Sequence, residues 1–349
     1  MKSYRNLIES TRSRLNPDRI TFSKSFNEEL SSISFSDIQT FVRLAMKSVE
    51  PQYTSITKEA GERVKSHLNL KLTNHSFRYQ GSVMTNTHIK GYSDIDLLVI
   101  SEKFYTYDAL NTSKVIEENK IHDYVKLNRL KNESAAQRYY GDSLEDLRLL
   151  RKDSEITLYA VYDICNLNKG KCIEITNQHL NRDVDIVIAN WYDDVDSIVN
   201  GKGENRGIQI YNKDEDEVEK PDYPFLSIQR INSRSSFTEG RLKKMIRFLK
   251  TVKAESDLEI DLSSFDINAI CYDICIDKYR YKSYIELVDV LYYQLRSILS
   301  NEEHARRLSS VDGKELIFVK DNTKLEKLRM LFSEVEPIYT DLKKRLTYG

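Results

Sequence analysis

The sequence predicts an α+β fold from three features. About seventy N-terminal residues read as helix, two later apolar strands each carry a pair of aspartates, and the chain from about residue 238 onward is helical again. In order, Ser36-Asp37-Ile38-Gln39 has the form of a capping box, and Phe41, Val42, Leu44 and Ala45 follow at helical spacing. Residues 52–68 continue as an amphipathic helix in which Gly61 is a weak point. Ser76–Gln80, Ser93–Ile100 and Asp183–Ala189 have strand character. Between the last two, residues 133–162 form a charged stretch whose Leu144, Leu147, Leu150 and Ile156 fit a helix. Residues 201–207 and 213–222 read as loops, and 239–254, 263–276, 284–299 and 323–345 as helices. There is no internal repeat and no long low-complexity tract.

Composition excludes several classes. The 349 residues carry 53 Lys and Arg against 54 Asp and Glu, a net charge of -1, so no strong nucleic-acid platform is expected. No apolar run approaches the roughly 20 residues of a membrane span, and the N-terminus lacks a secretory core. The expectation is a cytoplasmic protein without a membrane partner. Cys165, Cys172, Cys271 and Cys275 form no C-x-x-C pair and read as buried reduced thiols, and the six histidines form no zinc or triad spacing. The acidic run at 214–219 reads as a solvated turn, and the 201–207 segment lacks the spacing of a phosphate loop. Arg241, Lys243, Lys244 and Arg247 read as solvating one helix.

The chemistry-bearing segment is Gln80-Gly81-Ser82 followed by Tyr92-Ser93-Asp94-Ile95-Asp96-Leu97-Leu98-Val99-Ile100. Side chains alternate along a strand, so Asp94 and Asp96 share one face and Ile95, Leu97 and Val99 the other. Two adjacent carboxylates repel unless a cation lies between them. A Gly-Ser opening a short helix offers backbone N–H groups and a hydroxyl to phosphate, and paired aspartates suit hard divalent cations. Together they outline a nucleoside triphosphate site. Asn181-Arg182-Asp183-Val184-Asp185-Ile186-Val187-Ile188-Ala189 adds two more carboxylates on one face. Asp185, deeper in the strand, is the better third ligand, although spacing alone does not separate it from Asp183.

Gly-Ser, a gap of about a dozen residues, D-I-D in an apolar strand and V-D-I-V on a later strand resemble the polymerase-β-like nucleotidyltransferases. Within them the chain looks like the CD-NTases, the bacterial cGAS/DncV-like nucleotidyltransferases of anti-phage defence. Phe248-Leu249-Lys250 and Leu262-Ser263-Ser264-Phe265 match the family's C-terminal signature. The departure from the pattern is the strand after Asp185, which runs on as Ile-Val-Ile-Ala-Asn where many members carry proline.

The resemblance implies a mixed catalytic sheet at 71–225, with N-terminal helices including a spine at 1–70 and a helical lobe at 226–349. It implies two Mg²⁺, or Mn²⁺, on Asp94, Asp96 and Asp185. It assigns Gly81, Ser82, Lys250 and Ser264 to the triphosphate and Phe265 to a stacked base. The implied activity is template-independent joining of NTPs into a cyclic di- or trinucleotide that activates a separate effector. Some operons of this family also encode ubiquitin-transfer-like enzymes that would act on the terminal Gly349. Competing expectations are a toxin-like nucleotidyltransferase acting on RNA, tRNA or protein, and a non-catalytic nucleotide sensor on the same fold.

Overall fold

The computed structural model describes residues 3–18, 36–319, 321 and 323–348. Gly349, and with it the expectation of conjugation there, lies outside the described residues. The chain divides into two compact units. One comprises residues 1–54, 85–92 and 230–349, the other 55–84 and 93–229; two of the four dividing points fall inside helices and two in the turns and loop between β1 and β2. These units cut the chain elsewhere than the consecutive segments 1–70, 71–225 and 226–349, because the first two helices share a core with the C-terminal ones.

In the helical unit, α1 (Tyr4–Leu15) and α2 (Asp37–Met46) precede the first residues of α3 (Pro51–Asn69). The capping residue Gln39 accepts from Ser36 N at 3.3 Å. The periodic Ile38, Phe41, Val42, Leu44 and Ala45 are buried in one cluster with Leu242, Met245, Ile246 and Leu249 of α9 (Arg241–Glu255). Apart from Ala45, each such side chain contributes about 1.5–3 kcal/mol on burial. The same cluster takes in α10 (Ser264–Asp273), α11 (Tyr284–Ser300) and α13 (Thr323–Tyr348), while α12 (Glu302–Arg307) adds Ala305.

Arg247 corrects the sequence reading of α9. It is not a solvated residue: it is 6% exposed and donates to Met46 O at 2.8 Å and Asn86 O at 2.7 Å. Burial pushes its guanidinium down to about 10. The thiols are also less uniform than expected, since Cys271 is buried but Cys275 is exposed beyond the end of α10.

The sheet unit holds β1 (His75–Gln80), β2 (Ile95–Tyr107), β4 (Ile173–Asn177) and β5 (Arg182–Asp193), with β3 (Cys165–Asn166), β6 (Gly207–Asn212) and β7 (Glu217–Val218) at its margin. The order is β1-β2-β5-β4-β3, and β6 pairs with the later half of β5. β1 runs antiparallel to β2, and β2 runs parallel to β5. Both faces are buried: Ile95, Leu97, Val99, Val184, Ile186 and Ile188 lie in one core, and Leu98, Ile100, Val187 and Ala189 in another. This is the near-continuous apolar texture of central parallel strands.

β2 continues past Ile100 through a register shift between Ser101 and Tyr105, which its charged Glu102 and Lys103 hide from pattern reading. The stretch 133–162 is two helices: α5 (Tyr124–Ala135) ends within it, and α6 (Ser143–Tyr159) starts where Asp142 accepts from Leu144 N and Glu145 N. Ile156 lies on α6, as expected, and is exposed. The short helices α4 (Ala109–Glu117) and α7 (Val195–Val199) complete this unit, and α8 (Pro224–Phe237) contains its final residues. No described helix is long and apolar enough to cross a membrane.

Candidate active site

The parallel pairing of β2 and β5 places Asp96 directly beside Asp185, at the N-terminal ends of the two central strands. The same face becomes apolar deeper in the sheet, at Leu98 and Val187. The aspartates therefore stand where the sheet's buried face meets its edge, half desolvated. Asp94 immediately precedes β2. The Asp96 carboxyl is pushed up to about 6, first by burial and then by the charges of Asp185 and Asp94. Asp185 is also raised: burial is the main cause, Glu174 and Asp94 add to it, and Lys169 opposes it. Asp183 separates from Asp185 because Thr176 Oγ1 donates to it at 2.6 Å.

Gly81 is the second feature that the fold explains. Gln80 pairs with Asp96 across β1 and β2, so the next residue turns over the carboxylate. Gly81 has φ +86°, and a Cβ there would collide with Asp96 Oδ2. Only glycine meets both conditions. Ser82 and the residues up to Asn86 form turns, not the short helix expected from the sequence. The Gly-Ser element thus presents a turn to the acidic face.

Sequence reasoning missed the groups that hold this face. Arg182, 3% exposed, donates through Nε to Thr57 Oγ1 at 3.0 Å, and Thr57 in turn reaches Ser93 O at 3.4 Å. That chain fixes the backbone just before Asp94. Its only signal in the sequence is an arginine opening an otherwise apolar strand. On β4, Glu174 sits opposite Asp185 and is held by Lys169 at 3.0 Å and Asn166 at 3.2 Å.

The remaining predicted residues, Lys250, Ser264 and Phe265, belong to the helical unit. Among the described residues, Lys250 is in no ion pair. Burial, and then the charge of Lys253, pull its ammonium down to about 8. Ser263, not Ser264, caps α10: its hydroxyl accepts from Asp266 N at 3.1 Å while Asp266 accepts from Ser263 N at 2.8 Å. The Ser264 hydroxyl is thereby left for other work, and Phe265 is only partly buried against the helical core.

Asp96 and Asp185, both raised in proton affinity with Asp94 among the causes, fit a divalent cation together with Asp94, since hard oxygen donors and clustered negative charge are what such an ion requires. Among the described residues no three His, Cys, Asp or Glu side chains are already drawn into a cage. Like charges on one face keep apart.

Comparison with known proteins extends this geometry. Residues 229–339 match the model of the cGAS/DncV-like nucleotidyltransferase C-terminal helical domain. A c-di-GMP synthase of Capnocytophaga granulosa is 50% identical over 349 residues, covering 99% of both chains. The chain belongs to the CD-NTase family. It is a nucleotidyltransferase. Among solved structures, a STING-associated CdnE c-di-GMP synthase from a Flavobacteriaceae species aligns at TM-score 0.91 and 36% identity, over 99% of each chain. A STING-associated CdnE c-di-GMP synthase from Capnocytophaga granulosa aligns at TM-score 0.83 and 46% identity, over 99% of this chain and 100% of that one.

In a CD-NTase built this way, Gly81→Ala should leave a folded protein with activity reduced about a hundredfold, the scale of a misplaced reacting group. Pyrophosphate release beside far-UV circular dichroism measures it. An alanine variant with full activity would show that the turn does not need to pass so close to Asp96.

Proposed function

We propose that this CD-NTase joins two molecules of GTP into cyclic di-GMP with release of two pyrophosphates. The observation that carries the reading is the register pair Asp96–Asp185 with Asp94 beside it, in a chain half identical along its whole length to a c-di-GMP synthase. In each round a ribose hydroxyl forms a bond to the α-phosphorus of a nucleotide, and the bond from that phosphorus to the bridging oxygen breaks. The hydroxyl proton leaves to the carboxylate face or to water. The second round is intramolecular and closes the ring.

Two Mg²⁺ or Mn²⁺ held by Asp94, Asp96 and Asp185 would lower the pKa of the attacking hydroxyl and neutralise the leaving pyrophosphate. The protein's own part is positioning. The Gly81-Ser82 turn lets phosphate approach the backbone closely. Arg182 and Thr57 keep the Ser93–Asp94 backbone in place, and Glu174, paired with Lys169, borders Asp185. In this reading Lys250 and Ser264 hold the triphosphate, and Phe265 stacks on the base. Catalysis then rests on orientation and charge stabilisation, with no covalent intermediate.

The product would act on a separate effector of the STING type, as the names of the two solved relatives suggest, in a defence response to phage. Incubating the protein with GTP alone and with all four NTPs, then with phosphatase, and identifying products by mass spectrometry tests the reading. A phosphatase-resistant cyclic di-GMP is expected. Label entering RNA or protein would overturn it in favour of a tailing or toxin-like enzyme, and nucleotide binding without pyrophosphate release would favour a sensor.

Phe265→Ala should raise the KM for GTP about tenfold, as loss of one base–aromatic stack does, with a smaller fall in melting temperature. A large fall in melting temperature with unchanged KM would make Phe265 a core residue only.

A further inference from the structure

The helical unit contains a cleft of about 640 Å³ between α8, the end of α10 with the segment after it, and the turn at Ser309–Gly313. That is the size of a small-molecule site. Its walls do not include Lys250, Ser264 or Phe265. Three guanidiniums line it, those of Arg230, Arg234 and Arg280, and among the described residues none is in an ion pair. Arg230 Nη1 donates to Val311 O at 2.9 Å, and Arg234 Nη1 donates to Tyr272 O. A guanidinium has five N–H donors, so each retains several for another acceptor.

The aromatic walls are arranged for planar ligands. Arg234 lies over the Tyr272 ring at 3.4 Å from its centroid, and Arg280 over Phe237 at 4.1 Å. Phe237 is 54% exposed, an unusual exposure for phenylalanine. A guanidinium stacked on a ring still offers its outer plane to a base and its edge to phosphate. Two carboxylates share the wall. Asp273 is engaged by Gln294 Nε2 and His304 Nε2, both at 2.7 Å, which leaves Asp277 against three guanidiniums. The cleft is therefore cationic and partly aromatic.

We propose that this cleft is a second nucleotide site, sharing no residue with the carboxylate face, that takes the phosphate of a purine nucleotide on Arg230, Arg234 and Arg280 and its base on the Arg280–Phe237 pair. A free nucleoside triphosphate and a cyclic dinucleotide both carry this chemistry. The assignment does not depend on which product the enzyme makes.

Cys275 reports on the cleft directly, because it is a free, exposed thiol in the wall. The full chain is alkylated with iodoacetamide in EDTA, so that no nucleotide is consumed. Modification at each cysteine is followed by peptide mass spectrometry, with Cys165 as the internal reference. GTP, cyclic di-GMP and pyrophosphate are compared as protectants.

Alkylation of Cys275 should slow about fivefold where nucleotide stands at about four times its Kd, and Arg280→Gln should abolish the protection. Protection by GTP alone assigns the cleft to substrate, and protection by cyclic di-GMP alone assigns it to product; either supports the proposal. Unchanged reactivity with both nucleotides would overturn it. So would equal protection by pyrophosphate, which would reduce the cleft to a general anion site, or protection that survives in Arg280→Gln and, as a second variant, Arg234→Gln.

Discussion

Replacing Asp96 with asparagine should cut pyrophosphate release about a thousandfold, the scale of losing one preorganised electrostatic partner in an active site, while making the metal-free protein more stable. Both effects come from one cause. The Asp96 carboxyl is pushed up to about 6 by burial and by its neighbours Asp185 and Asp94, so ionising it costs the folded state energy that the unfolded chain does not spend. A carboxyl raised on folding binds its proton more tightly in the native state. Stability in EDTA should therefore fall as pH rises from about 4 to about 6, by up to about 3 kcal/mol, and Asp96→Asn should lack that component. Added Mg²⁺ should recover the loss in the native protein but not in the variant. The comparison is melting temperature against pH, with and without metal. A folded variant that keeps its activity would remove Asp96 from the chemistry. A variant without the pH component would confirm the strain while leaving the metal assignment to the Mg²⁺ arm.

The pairing behind that prediction was only half legible in the sequence. Asp94 and Asp96 can be placed on one face because strand alternation is a local rule that two residues suffice to apply. The adjacency of Asp96 to Asp185 is a matter of register between strands 89 positions apart in the chain, and no local pattern encodes it. Gly81 was legible as a candidate phosphate-binding residue, but the closeness to Asp96 that leaves no room for a Cβ exists only once Gln80 pairs across the sheet. Arg247 misled because four cations on one helix usually mean water, and its carbonyl acceptors, Met46 O and Asn86 O, come from distant parts of the chain. β4 and β6 were missed for a different reason. β4 does alternate, with Ile173 and Ile175 buried, but its five residues, like the six of β6, are too short a run to stand out against the neighbouring loops. The fold class survived these errors because it rests on long periodic segments, which average over single residues.

Lys250→Met should raise the KM for GTP between about tenfold and a hundredfold, the value of one hydrogen bond to a charged phosphate, with a smaller effect on kcat. The lysine is poised for such a role. Among the described residues no carboxylate pairs with it, and burial beside Lys253 pulls its ammonium down to about 8. A lysine in that state is held as a cation against the preference of its surroundings, and a bound triphosphate would reverse the preference. The sign of the stability effect is opposite to that of Asp96. Between about pH 8 and 10.5 the unfolded chain binds more protons at this site than the folded one. The nucleotide-free protein should therefore gain stability as pH rises through that window, by up to about 3 kcal/mol, and Lys250→Met should lose the gain. Nucleotide binding should move the other way and weaken above pH 8 as the ammonium deprotonates, whereas Lys250→Arg should keep its affinity there. Measuring GTP affinity and melting temperature across pH 7–10 separates the roles. If the stability component disappears but affinity is untouched, Lys250 is only a buried cation of the helical core, and the triphosphate is held by other groups.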